Sequence, residues 1–394
     1  MEYKILKSKK VYYGKNLDLL KNGAILIKKD KIVKIIEEKD LSQIQDLSAE
    51  IMDLGDLTIM PGLIDCHSHL NIDANIPEHL ELLAWSNECE LTLISVKALE
   101  ENVKAGITTL RCLGDKFYTD VTLKNKILKN EILGPDILSA GLGMKGLHGS
   151  GYIGYPHCGK EEIRKTVREN LKRKVDTLKL FITPGQLPES GEIPSYLSLE
   201  EIEVAVEEGK RVGIPVAAHC IGGEGLKNCL KAGVQVLEHL YGVNDDEIEL
   251  LKDSKVWLDL TPGIFMDSTR EEFLSENNIK AIQKNKDKVS AAMKKIIAAN
   301  IPFTLGTDAY HGKLYKEVLY AIELGADIKD AIKAITSNAA KVCNQDNLIG
   351  SLSENYLANI IAIDGDPFEN PVALSKVKFV LKRGEVLINN IKES

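Results

Sequence analysis

The chain has no cysteine pairing motif. Its seven cysteines, Cys66, Cys89, Cys112, Cys158, Cys220, Cys229 and Cys343, are odd in number and irregularly spaced, without a C-x-x-C pair. Such a set excludes a disulfide framework and leads us to expect a reducing, cytoplasmic setting. No apolar run approaches the roughly 18 residues a spanning helix needs. The opening Met1-Glu2-Tyr3-Lys4-Ile5-Leu6-Lys7 has no apolar signal core, so no membrane partner is expected. No basic stripe offsets the formal charge of −8, which argues against nucleic acid. Short pairs such as Lys9-Lys10 and Lys28-Lys29 read as solvated faces.

What is present is an ordinary globular composition, 44% hydrophobic and 27% charged, in 394 residues. That length suits a barrel of roughly 250–300 residues plus a smaller unit. Both ends read as short strands: 24–27 and 31–36 in the first 58 residues, 358–363 and 377–382 in the tail. One small sheet domain from the two ends, residues 1–58 plus 350–394, is expected to flank a middle of 59–349. The middle alternates apolar runs with Glu/Lys-rich amphipathic stretches, as βα units do. Eight strands are expected at 58–66, 107–113, 136–141, 177–182, 214–219, 234–239, 256–261 and 302–307. The helical pattern is clearest at 161–174, 198–212, 278–299 and 327–344. Eight repeats favour a (β/α)8 TIM barrel. A doubly wound sheet is disfavoured, because no Gly-x-Gly-x-x-Gly follows the first middle strand.

Barrel enzymes gather their catalytic groups at the C-terminal ends of the strands. The first strand ends Ile64-Asp65-Cys66-His67-Ser68-His69. Residues i and i+2 of a strand face one way, so His67 and His69 form a chelating pair. Strands five and six end in His219 and His239, and strand eight in Asp308. One histidine closing a strand is commonly a satisfied core residue; two in succession, with the pair on strand one, point to a metal. Asp308 is suited to metal binding and proton handling, although alone it would equally suit an N-cap. Lys179 sits inside an apolar strand, where an ammonium ion is costly and a closed barrel offers no edge. A neutral amine there is nucleophilic and adds CO₂, giving an anionic carbamate able to bridge two metals.

In this order of elements the chain resembles the amidohydrolase superfamily. It is most similar to the imidazolonepropionase-like group that includes metal-dependent Xaa-Pro, Xaa-Lys and Xaa-Arg dipeptidases. The resemblance rests on Pro61-Gly62-Leu63-Ile64-Asp65, Gly106-Ile107-Thr108-Thr109-Leu110-Arg111, Ala217-Ala218-His219, Glu238-His239, Gly306-Thr307-Asp308 and Thr336-Ser337-Asn338-Ala339-Ala340. The tail from Gly350-Ser351-Leu352 through Ile363-Asp364-Gly365-Asp366-Pro367 joins them. It implies a β-sandwich built from both ends and two divalent ions, most plausibly zinc. His67, His69 and Asp308 would hold one ion, His219 and His239 the other, and carboxylated Lys179 would bridge them. It further implies hydrolysis of an amide or peptide C–N bond in a small substrate by a metal-bridging hydroxide, with Asp308 as proton carrier. Three departures stand out: Cys112 where the group often has an acid, Asn359 in the tail, and Cys220-Ile221-Gly222 where the group often has a second histidine.

The alternative within the superfamily is a mononuclear deaminase or cyclic-amide hydrolase, which needs no Lys179. A binding module on the same barrel would have lost a ligand, and none is missing. Substrate contacts are sought in loop 183–196 and at His148, His157 and His311, each of which would equally serve a turn. His79, in an amphipathic stretch, reads as structural. A homo-oligomer is compatible with this pattern.

Overall fold

The structure, a computed structural model, describes residues 3–44, 48–149 and 151–391. Parts of the expected terminal unit, residues 1–2, 45–47 and 392–394, lie outside the described residues, as does Ser150 of the glycine-rich stretch after strand three.

The two ends do share a sheet. Its order is Glu385–Asn389, Val377–Lys382, Ile360–Ile363, Thr58–Pro61, Tyr3–Tyr13, Asp18–Lys28 and Lys31–Glu37, and Ala49–Asp53 pairs with Tyr3–Tyr13 as well. Tail and head meet where Ile360–Ile363 runs antiparallel to Thr58–Pro61. Leu6, Ile25, Ile27, Ile59, Ile360 and Phe379 form one buried hydrocarbon cluster. Tyr3–Tyr13 was not anticipated, because Lys4, Lys7, Lys9 and Lys10 interrupt its apolar pattern.

The expected strand 58–66 is in fact two. Thr58–Pro61 belongs to the terminal sheet, and Leu63–Ser68 begins the parallel α/β domain. Pro61 lacks a ladder donor, and a Cβ at Gly62 would run into the Thr108 side chain. The chain therefore hands over between sheets at this dipeptide.

The α/β domain is TIM-barrel-like. Leu63–Ser68, Ile107–Cys112 and Asp136–Leu138 form one parallel sheet. Leu178–Phe181, Val216–Cys220, Val236–His239, Trp257–Leu260 and Phe303–Leu305 run in that order through a second. Met144–Gly146 and Tyr155–His157 extend this second sheet. Helices cover the strands, among them Lys160–Lys172, Leu199–Arg211 and Glu276–Ala298. Ser198 and Glu201 close a capping box that fixes where Leu199–Arg211 starts.

The expected helix 327–344 is broken into Ile328–Lys333 and Ser337–Val342. The break has a use: the carbonyls of Ala334 and Ile335 accept from the backbones of Leu305 and Ile64, on the last and first parallel strands. Among the described residues no helix is long and apolar enough to cross a membrane. All seven cysteines are free.

Candidate metal centre

The site begins at the ends of the first and last parallel strands. Asp65 is fully buried, and its carboxylate accepts from the backbones of His67 and Thr307 and, at 2.7 Å, from the Thr307 hydroxyl. Asp308 N donates to His67 O at 2.8 Å. Gly306 makes this approach possible, since a Cβ there would strike the backbone of His67. The result places Asp308 Oδ1 3.4 Å from Nε2 of both His67 and His69. These three residues offer ligand atoms within 4.8 Å of one another. His219 and His239 lie alongside, with ring centroids 4.6 Å apart, and His67 is likewise 4.6 Å from His239.

Backbone strain gathers here. His239 and Leu240 have φ of 79° and 61°, Asp308 and Ala309 of 50° and 72°. Non-glycine residues in this region cost of order 1 kcal/mol each and persist where surrounding contacts hold them. Two of the aligned side chains are thus aimed by strained turns at their strand ends.

Three of the imidazoles have one nitrogen hydrogen-bonded on the outer side, and His67 faces a carboxylate there. His69 Nδ1 meets Gly114 O at 2.8 Å, and His219 Nε2 meets Pro184 O at 2.9 Å. His239 Nδ1 contacts the Thr261 hydroxyl at 2.8 Å and the Tyr241 hydroxyl at 3.0 Å. His67 Nδ1 lies 2.9 Å from Glu238 Oε2. The other nitrogen of each ring stays available, which is how metal-binding histidines are oriented. Burial pushes His67 and His219 down to about 4 and His239 well below its ordinary value, with nearby cations adding to the effect. Lowering favours the neutral, metal-binding form of these three rings, whereas Asp308 raises His69 against the pull of burial. Burial opposes ionisation of Asp308, yet His67, His69 and His239 hold its carboxyl well below the usual range.

Lys179 lies on the parallel strand Leu178–Phe181. It is fully buried, and its Nζ has no hydrogen-bond partner among the described residues. Burial lowers it to about 8, so a useful fraction is neutral amine near neutral pH. Beneath it Arg111 donates to Cys66 O at 2.6 Å and pairs with Glu238 at 2.9 Å. A fully buried lysine and the buried His67 Nε2, both without a hydrogen bond, are polar groups that need something further. Four imidazoles, one carboxylate and a carboxylatable amine form a donor set that fits divalent transition metal ions.

A cavity of about 560 Å³ opens over the centre. His67, His69, His219, His239 and Asp308 reach it, as do Thr183, Pro184, Gln186 and Tyr196 of the loop 183–196. His148, His157 and His311 are absent from its lining. His148 is exposed, with its ring edge against Tyr196. His157 spends both nitrogens on Tyr155 O and the Thr166 hydroxyl, and His311 spends both on Asn102 and Ile72 O. His79 borders an adjoining recess of about 180 Å³. Tyr241, Lys145 and Arg270 line the two cavities and were not singled out in the sequence. For Tyr241 the signal was its place two residues beyond His239. Lys145 and Arg270 carry no motif.

Residues 58–388 match the description "Amidohydrolase family". Ochratoxinase of Aspergillus niger is 33% identical over 242 residues, 58% of this chain and 50% of that protein. The chain thus matches about half the length of that curated relative. An imidazolonepropionase of Fusobacterium nucleatum is 25% identical over 386 residues, 89% of this chain and 87% of its own. A solved Xaa-Pro dipeptidase with bound methionine superposes with a TM-score of 0.86 at 25% identity, covering 98% of this chain and all (100%) of the other.

Proposed function

Because the chain belongs to the amidohydrolase family, we propose that it hydrolyses an amide or peptide C–N bond in a small substrate. The observation that carries this reading is the convergence of four imidazoles and Asp308 on one cavity, with Lys179 fully buried beside them without a hydrogen bond. His67, His69 and Asp308 would hold one divalent ion, and His219 and His239 a second, most plausibly zinc. Lys179 would bridge them as a carbamate, formed when its amine adds to CO₂ and releases a proton. Such ions supply Lewis acidity and lower the pKa of bound water.

The chain's own residues do the rest. Asp308, held ionised, takes the proton of the attacking water at its free carboxylate oxygen and delivers it to the leaving nitrogen. Tyr241 and Thr261 fix the His239 ring, and Glu238, backed by Arg111, fixes His67. Thr183, Pro184, Gln186 and Tyr196 of loop 183–196 wall the cavity in which the substrate would bind. The bond from Asp308 N to His67 O and the shared contacts of Leu305 and Ile64 to one helix break support closure of the two parallel sheets into a single (β/α)8 barrel. We take residues 59–349 as that barrel and 1–58 plus 350–394 as the composite β-sandwich domain.

The mononuclear alternative has no use for Lys179, and a fully buried amine without a hydrogen bond weighs against it. Metal analysis alongside a hydrolysis screen of dipeptides, N-acyl amino acids and cyclic amides tests the reading. Close to two ions per chain and turnover of an amide are expected; full activity with one ion would overturn the binuclear centre.

A further inference from the structure

Among the described residues, Arg270 is a buried cation outside the candidate metal centre that lacks a counter-charge. It lies in the short turn Ser268–Phe273 after the seventh parallel strand and is only 7% exposed. Its Nε and Nη1 have no hydrogen-bond partner among the described residues, and no ion pair reaches it. Its guanidinium lies over the Tyr310 ring, 5.1 Å from the centroid. The nearest acids are engaged elsewhere. Asp267 is taken by Lys316 at 2.7 Å and by Thr269. Glu317 accepts from Gly263 N at 2.8 Å, and its burial raises it to about 8, leaving it largely uncharged near neutrality.

The guanidinium borders the recess of about 180 Å³, whose other walls include Ile72, Leu80, Ile264, Leu274 and Ile282. The recess shares Asp308, Ile72 and Ile264 with the cavity over the metal centre, so the two are arms of one space. Arginine cannot shed its proton to escape burial. An unpaired buried cation is costly, and an anion of matching shape removes that cost. A guanidinium fork matches a carboxylate through two parallel N–H···O bonds. Lys145, the other cation of the space, already donates to Gly151 O.

We propose that Arg270 is the carboxylate anchor of the substrate pocket, so that the favoured substrate is an acylated amino acid with an apolar portion in the Ile264–Ile282 recess. This rests on the hydrolase reading above and names the substrate class for that same site. The carboxylate has two possible sources, the α-carboxylate of a C-terminal residue or the side chain of an acidic one.

The test is kinetic and calorimetric, on full-length metal-loaded protein. N-acetyl-leucine is compared with N-acetyl-leucinamide, and Leu-Glu with Leu-Gln. An α-carboxylate on Arg270 gives about 100-fold higher kcat/KM for the first acid over its amide, with little difference in the second pair. A side-chain carboxylate reverses that pattern. In either case the discrimination collapses toward parity in Arg270→Met and is partly kept in Arg270→Lys, which also controls for folding. Discrimination that survives Arg270→Met, or none in the wild type, overturns the anchor. Binding of N-acetyl-leucine and N-acetyl-glutamate by calorimetry separates the two readings. Binding that needs Arg270, without hydrolysis of any amide, keeps the anchor and removes the hydrolase. Hydrolysis with carboxylate binding indifferent to Arg270, or with no carboxylate bound, does the opposite.

Discussion

Glu208 and Glu238 are both buried glutamates, and both have carboxyls held down to about 2, yet their surroundings differ in kind. Glu208 lies on the outer helix Leu199–Arg211 and is gripped by Arg164, Arg168 and Arg211 from the solvent side. Glu238 lies in the dry centre, where burial alone would raise it and one arginine, Arg111, with His67 must offset that. Around Glu208 all three arginines are paired with it. Around Glu238, Lys179 Nζ and Asp259 Oδ2 have no hydrogen bond. The helix layer is arranged for stability, whereas the centre leaves polar atoms open and is costly until something fills it.

The sharpest way to break this contrast is Lys179→Met, which fills the same space without a charge. Turnover should fall by at least about 10³-fold and ion content to about one per chain, because the bridging anion is gone. Metal-free protein should melt higher than wild type by the equivalent of about 1 kcal/mol, since an unpaired buried amine has been removed. A lower melting temperature together with two retained ions would refute the role given to Lys179. Asp308→Asn comes next. Its amide oxygen still ligates but accepts no proton, so kcat should drop about 10²–10⁴-fold with most of the metal kept. Near-normal turnover would place the base elsewhere. Glu238→Gln should act more on structure than on chemistry. Breaking its pair with Arg111 and its contact with His67 should destabilise the fold by about 3 kcal/mol and weaken metal binding about 10–100-fold. Denaturant melts and metal titration read the two effects separately.

The convergence of the candidate ligands was legible because strand periodicity and strand-end placement act locally. His67 and His69 two apart, and His219, His239 and Asp308 each closing an apolar run, need only that rule. The handover at Pro61-Gly62 was not legible, since a single apolar run there serves two sheets. Helix Glu88–Lys104 was also missed, because buried Ser95 and Asn102 interrupt its apolar stripe. His311 shows the limit of sequence proximity. It follows Asp308 by three residues, but the left-handed turn at Asp308 and Ala309 carries it outward to Asn102 and Ile72. Arg270 lay in a 3₁₀ turn, where no periodicity marks a face. Directions set by turns come from tertiary contacts, so residues placed by turns were the ones the sequence left open.

The smallest expected effect lies on the other side of the comparison. Glu208→Gln leaves its three arginines in place and removes their counter-charge. The folded carboxyl titrates near 2 and its ordinary value is 4.5, so the group binds protons less readily when folded. A depressed pKa contributes stability above the unfolded value, and that contribution is lost as pH falls from about 4.5 toward 2. Arg168 and Arg211 are 58% and 55% exposed, so solvent screens the pairing strongly. The contribution at neutral pH is therefore about 1 kcal/mol, well below what the shift alone implies. Wild type should exceed Glu208→Gln by that amount at pH 7, and the two curves should converge near pH 2. High salt should narrow the gap at pH 7, because exposed arginines are screened. Metal content and turnover should not move, since neither Glu208 nor its three arginines line the cavity. A gap that stays constant from pH 7 to pH 2 would mean that Glu208 contributes through packing and not through its charge.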